Sequence, residues 1–197
     1  MSTENKTEAP GSVSYPTYSI PEHILNRFPV APRSIWSDAT EKDWNNWIWQ
    51  QQKRVKNLDD LRKVIKVTSE EEKAYEGSVE MFNMSITPYY AALMDPEDPN
   101  CPIRLQAVPK IGELHVAPED LEDPLAEERD MPVPGLTHRY PDRVLFYTTH
   151  NCAMYCRFCT RKRKVSDPGS AAQKQQLDTA LDYIRKHPEI RDVVVSG

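Results

Sequence analysis

The junction between Val144 and Cys159 constrains the fold more than any other part of this sequence. A β-branched and aromatic run, Val144 to Thr149, leads directly into His150-Asn151-Cys152-Ala153-Met154-Tyr155-Cys156-Arg157-Phe158-Cys159. Beyond it Leu177, Ala180, Leu181 and Ile184 recur at helical spacing, and Val193 to Val195 form a second apolar run. The order is strand, loop, helix, strand. Two strands joined in this way form a parallel pair with a right-handed crossover, the repeating unit of α/β sheets and barrels. One such pair cannot bury both of its faces, so the sequence reads as a piece of a larger sheet or as a chain whose sheet is completed by other material.

The loop carries three of the four cysteines, spaced C-x3-C-x2-C, while Cys101 stands apart. Clustering of this kind marks a metal or redox site in a reducing compartment rather than a disulfide framework. The loop also follows the carboxyl end of a strand, where α/β folds hold their ligands. Thiolates from Cys152, Cys156 and Cys159 supply three ligands to a soft metal cluster and fall one short of the usual four, which leaves one iron open to a small molecule. Phe158 is an aromatic beside such a cluster, placed either to pack an adenine ring or simply to exclude water. A rival reading makes the loop a zinc knuckle completed by His150, in a binding module whose basic run Arg161-Lys162-Arg163-Lys164 contacts nucleic acid. Against nucleic acid stand the shortness of that run and a net charge of -5.

The rest of the chain has a different grammar. Residues 1–33 are polar and read as a flexible tail, with no export signal and no apolar run long enough for a membrane, so a cytoplasmic chain is expected. Residues 34–140 read as a helical and proline-rich region, and 141–197 as the strand-loop-helix-strand unit. Thr40 and Asp43 predict a helix start, with Trp44, Trp47, Ile48 and Val55 on one buried face. A second helix from Asn57 turns Leu58, Leu61, Val64 and Ile65 inward, and Thr68 with Glu71 caps a third that runs towards Met84. The acidic run Glu70-Glu71-Glu72 is expected to be solvated in that helix's first turn. From Pro88 to Pro141 the chain draws on many of its 17 prolines and is expected to be extended and irregular.

Several stretches resemble the lysine 2,3-aminomutase family, of the radical S-adenosylmethionine superfamily, in the same order and in its N-terminal portion. They are Asp43-Trp44-Asn45-Asn46-Trp47, Ile86-Thr87-Pro88-Tyr89-Tyr90, Leu93-Met94-Asp95-Pro96 and Asp120-Leu121-Glu122-Asp123-Pro124-Leu125. Closest of all are Pro132-Val133-Pro134-Gly135-Leu136-Thr137-His138-Arg139-Tyr140-Pro141-Asp142-Arg143, the cysteine loop, and Thr160-Arg161-Lys162-Arg163. The likeness covers about residues 36–197. It departs at Lys164-Val165-Ser166-Asp167-Pro168-Gly169, where the family usually has an apolar residue and a Gly-Gln step.

The resemblance implies an α/β fold in which a helical N-terminal region precedes the start of a partial βα barrel. It implies an enzyme that moves an amino acid's α-amino group to the β-carbon, with lysine the first candidate and glutamate, arginine or a protein lysine the alternatives. The implied cofactors are a [4Fe-4S] cluster on Cys152, Cys156 and Cys159, S-adenosyl-L-methionine and pyridoxal 5'-phosphate. By the same resemblance Arg139 and Arg143 bind the pyridoxal phosphate group, Arg161 pairs with the substrate carboxylate, and Gly197 opens the loop that receives the methionine part of the cofactor. An electron donor such as ferredoxin or flavodoxin, and a homo-oligomer at full length, are implied as partners. Neither nucleic acid nor membrane is. The pyridoxal lysine falls outside these residues, so the chain alone is expected to be inactive.

Overall fold

The computed structural model describes residues 34–165 and 173–196. The expected tail at 1–33, most of the departing loop, and Gly197 lie outside the described residues. No helix among the described residues is long and apolar enough to cross a membrane.

The chain first builds a layer of short helices: α1 (Glu41–Trp44), α2 (Trp47–Gln52), α3 (Leu58–Arg62) and α4 (Ser69–Ser78). Local chemistry starts each one. Thr40 and Asp43 make a reciprocal capping box on α1, Asn57 accepts the Asp60 amide at the head of α3, and Thr68 with Glu71 repeats the box on α4. Leu58, Leu61, Val64 and Ile65 are buried as their spacing predicts, joining Trp36, Val55 and Met94 in one core. Around it Trp44 packs against Trp36, Trp49 and Tyr89 at ring separations of 6.3, 6.1 and 6.5 Å.

The single tryptophan helix expected from Thr40 is not formed. Asn46 takes the Ile48 amide on its side-chain oxygen at 2.9 Å, so the chain ends one helix and caps the next. That break turns Trp47 and Ile48 outward, 72% and 47% exposed, while Val55 leaves the helix and pairs with Ile86 in a short bridge. Helix α4 likewise stops at Ser78, whose hydroxyl bonds back to the Tyr75 carbonyl. Its expected extension to Met84 is irregular chain.

The proline-rich passage is less extended than its composition predicts. Pro88 opens α5 (Pro88–Ala92) and Pro102 opens α6 (Pro102–Ala107), each at the head of its helix, where the missing amide costs no intrahelical bond. Glu71 is a second correction. Rather than being solvated, it is buried and forks onto the equally buried Arg104 of α6, with contacts of 3.0 and 2.6 Å and Lys110 at 3.3 Å. Burial pushes the Glu71 carboxyl up, but the Arg104 hydrogen bonds, the Thr68 cap and the Arg104 charge together hold it below its ordinary value.

The sheet has the order β1 (Leu136–Tyr140), β2 (Arg143–Tyr147), β3 (Asp192–Ser196). Strands β2 and β3 are the parallel pair expected, in register from Arg143–Asp192 to Tyr147–Ser196. They are connected through α8 (Lys174–Lys186), and a short turn of helix, α7 (Lys162–Val165), follows the cysteine loop. Strand β1 was not expected: it forms an antiparallel hairpin with β2, so the sheet begins ahead of residue 141. One face, with Leu136, Val144 and Phe146, packs on Ala180, Leu177 and Ile184 of α8. The fold is therefore mixed α/β with a small open sheet among the described residues, and no closed barrel is formed.

Candidate metal centre and its surroundings

Strand β2 delivers the chain to the cysteine loop. Just past it the Thr148 amide bonds the Ser196 carbonyl of β3 at 2.9 Å, and Thr149 Oγ1 accepts the Asn151 amide at 3.0 Å, turning the chain off the sheet. From there the loop docks on the helical layer. Met154 bridges to Ile86, the Thr87 amide bonds the Ala153 carbonyl, the Tyr155 amide bonds the Ser85 carbonyl, and the Arg157 amide bonds the Gln106 carbonyl. The Arg54 guanidinium donates to Asn151 Oδ1 and to the Cys152 carbonyl, each at 3.2 Å. Ordered irregular backbone needs such partners, since each buried amide or carbonyl left alone is costly.

Cys152, Cys156 and Cys159 are half-buried and free of disulfides. Burial pushes the Cys152 thiol up, and the neighbouring Cys159 and Cys156 charges push it further, against smaller opposing pulls from Arg161 and Arg54. Cys156 is raised by burial and then by Cys159. Cys152 and Cys156 thus resist ionising in the metal-free chain, which is the situation that a cationic cluster reverses, because bound metal stabilises thiolate. Among the described residues no three His, Cys, Asp or Glu side chains converge tightly enough to hold a single metal ion. A zinc knuckle of His150 with the cysteines is accordingly not built; His150 lies over the Tyr147 ring at 5.7 Å. In a multi-iron cluster each thiolate binds a different iron, so the three need not converge on one ion. Two further polar groups face this loop: the Arg161 amide donates to Cys159 Sγ at 3.4 Å, and the buried Tyr90 hydroxyl, near Cys156 and Cys101, has no hydrogen-bond partner among the described residues. Both are donors able to meet a thiolate sulfur.

Arg161 lies two residues past Cys159 and already holds a carboxylate. Its Nε and Nη2 fork onto Glu127 at 3.0 and 2.7 Å, and its guanidinium covers the Tyr147 ring at 4.7 Å. Burial raises the Glu127 carboxyl, yet hydrogen bonds from Arg161 and Tyr147, with the Arg161 charge, keep it below its ordinary value. The remainder of the basic run is also paired, Arg163 with Asp123 and Glu128 and Lys164 with Glu128.

Arg139 and Arg143 meet in a cleft of ≈ 290 Å³ on the sheet face opposite α8, together with Glu127, Thr137, Tyr140 and Leu145. Arg139 is held by Asp130 at 2.7 Å and by the Leu125 carbonyl, and Arg143 by Asp142 at 3.0 Å and the Tyr140 ring. Among the described residues no lysine lines this cleft. Glu127 is the residue that joins the cleft to Arg161, and sequence reasoning passed over it. The available signal was the acidic stretch from Glu119 to Asp130, opposite in sign to the run from Arg157 to Lys164. Phe158 is 68% exposed.

No family model matches the chain. Curated relatives do. Over 163 residues the chain is 54% identical to an L-lysine 2,3-aminomutase of Bacillus subtilis, covering 83% of this chain and 35% of the relative. It is 49% identical to that of Clostridium subterminale over 83% of this chain and 39% of the relative. A glutamate 2,3-aminomutase of Clostridioides difficile is 42% identical over 81% of this chain and 38% of its own length. The chain thus spans between about a third and two-fifths of the length of these relatives. Over the stretch they share, this chain belongs to the lysine 2,3-aminomutase family.

Proposed function

We propose that the chain is part of a radical S-adenosylmethionine amino-acid 2,3-aminomutase, an isomerase that moves the amino group of lysine from C2 to C3 in the cytoplasm. The observation that carries the reading is the position of Arg161, which lies two residues past the three-cysteine loop and grips Glu127 in the lining of the cleft that holds two arginines. In this reading Cys152, Cys156 and Cys159 hold a [4Fe-4S] cluster, with S-adenosyl-L-methionine on the iron that lacks a cysteine. Bound together, the cluster and S-adenosyl-L-methionine would supply radical chemistry strong enough for an unactivated C–H bond, and pyridoxal phosphate would supply an extended π system for the substrate amine.

The chain's own residues then bind and aim. Arg161 takes the substrate carboxylate on Nη1, the guanidinium nitrogen that Glu127 leaves, so the β-carbon is presented in one orientation. Arg139 and Arg143 take the phosphate of pyridoxal phosphate, their pairing with Asp130 and Asp142 fixing where each fork points. Phe158 offers an exposed ring to the adenine or shields the cluster from water, and Gly197 meets the methionine part of the cofactor. Among the described residues no lysine lines the cleft to anchor pyridoxal phosphate, and in this reading residues 1–197 alone convert no amino acid. A flavodoxin or ferredoxin as electron donor and homo-oligomeric assembly belong to the same reading.

Anaerobic reconstitution of residues 1–197 with iron and sulfide tests the centre. A brown protein with about four irons per chain is expected; one tightly held zinc and no iron would overturn the assignment. The substrate is tested in a protein carrying this stretch within the family's full length, offered lysine, glutamate and arginine. β-Lysine as the main product is expected, and β-glutamate would transfer the assignment to the second kind of relative.

A further inference from the structure

Arg157, between the second and third cysteines, is the least exposed guanidinium near the loop, with 5% of its side chain open to solvent. It does not point towards the sheet, the cleft or Arg161. Its Nε and Nη2 fork onto Glu113 at 3.0 and 2.7 Å, its Nη1 donates to the carbonyls of Phe82 and Asn83 at 3.3 and 3.2 Å, and its plane covers the Phe82 ring at 4.9 Å. Its own amide is tied to Gln106. All these partners lie in the helical and proline-rich region ahead of the sheet, in segments 44 to 75 residues before it. Tyr155, two residues earlier, stacks on the other contact of the same arginine, the Phe82 ring, at 5.7 Å.

We propose that the helical layer is a template that shapes the cysteine loop before any cluster binds, and that Arg157 is its positioning residue. The geometry gives the reason. A loop of irregular backbone has many conformations open to it, and here bonds from outside the loop select one. Arg157 fastens the half of the loop between Cys156 and Cys159 with a planar fork, while Arg54 fastens the Cys152 end by its carbonyl. Its charge is matched by Glu113, so Arg157 acts through where it holds the backbone and not through a field at the sulfurs. The cluster assignment under the proposed function is needed for the second measurement below and not for the first.

Hydrogen exchange on the metal-free chain of residues 1–197 is the first measurement. The amides of Tyr155 and Arg157 should be protected in the parent and lose that protection in Arg157→Lys, which keeps the charge and loses the fork, and in the milder Glu113→Gln. Unprotected amides in the parent, or protection unchanged in both variants, would overturn the template. The second measurement is the rate at which a chelator strips iron from the reconstituted chain, at a temperature where circular dichroism shows all variants folded. Both variants should lose iron about tenfold faster than the parent, the double variant no faster than the worse single one, and the reduced cluster's electron paramagnetic signal should broaden. Parent-like rates in both would refute the positioning role. If Arg157→Lys does not fold, Glu113→Gln decides alone. A parent that binds no iron yet protects these amides would sink the cluster assignment and leave the template standing.

Discussion

The helical layer and the sheet differ in how far each closes its own core. In the layer, Val55, Leu61, Ile86 and Met94 are 0 to 1% exposed, and even the ion pair of Glu71 with Arg104 is sealed inside. In the sheet, α8 covers β2 and β1 from one side, but Val193, Val194 and Val195 of β3 remain 41, 55 and 64% exposed. The layer is a finished packing unit, whereas the sheet is finished only over its first two strands. The cysteine loop sits at the seam and takes its bonds from the finished side. A cofactor loop gains most from the element that moves least, so docking on the layer rather than on the sheet is the arrangement that keeps its shape.

If the layer is the rigid partner, its buried charge pair should be the most sensitive point in the molecule. Arg104→Ala leaves the Glu71 carboxylate buried with only Lys110 and the Thr68 cap, and should cost about 3–5 kcal/mol. Urea unfolding followed by tryptophan fluorescence reports on it directly, since Trp36, Trp44 and Trp49 belong to this layer. A loss under about 1 kcal/mol would mean that the layer is far looser than its packing indicates. Next in size is Leu136→Ala, which opens a cavity in the second core beneath α8, where Leu136 is fully buried. It should cost about 2–5 kcal/mol, towards the lower end because the half-covered sheet relaxes more easily. Equal losses at the two sites would erase the distinction between the regions.

Legibility in the sequence follows the same division, and for a physical reason. The caps at Asn57 and Thr68 and the inward face Leu58, Leu61, Val64 and Ile65 are written within single turns, so the spacing reveals them. The parallel strands were legible because their β-branched runs are short and bounded. Strand β1 was not, because Leu136-Thr137-His138-Arg139-Tyr140 has no apolar alternation and becomes a strand by pairing with β2 across the Pro141-Asp142 turn. Burial of Glu71 depends on Arg104, 33 residues away, and its local signal is that of an ordinary solvated first turn. The candidate site divides likewise. Its cysteines and arginines stand out by type and spacing, but the carboxylates that hold Arg139, Arg157 and Arg161 come from separate segments and were not foreseen.

Acid should act on both regions, since each has one buried carboxylate held below its ordinary value, Glu71 in the layer and Glu127 beside the sheet. A depressed carboxyl contributes stability that is fully present above the unfolded value, about pH 4.3, and that is lost as pH falls through the lower folded value. Unfolding midpoints should therefore decline below about pH 4.3 in the parent. Glu127→Gln removes the charged partner of Arg161 and should cost about 1.5–3 kcal/mol near neutral pH. Its acid decline should be shallower, so that variant and parent converge at low pH. A parallel decline would show that Glu127 contributes nothing to the pH dependence.

The smallest effect should come from β3, and it separates the two regions most cleanly. Val195 lies opposite Phe146 in the parallel register, yet it is 64% exposed, so its side chain removes little apolar surface from water. Val195→Thr keeps the β-branched shape and the strand preference and changes only a methyl to a hydroxyl that water can still reach. In the chain of residues 1–197 the unfolding midpoint should move by less than about 0.5 kcal/mol. The same exchange at Val144, on the covered strand and 2% exposed, places a hydroxyl against α8 with no partner and should cost about 1–3 kcal/mol. A large loss at Val195 would mean that something covers β3 in solution, and the sheet would then be as complete as the layer.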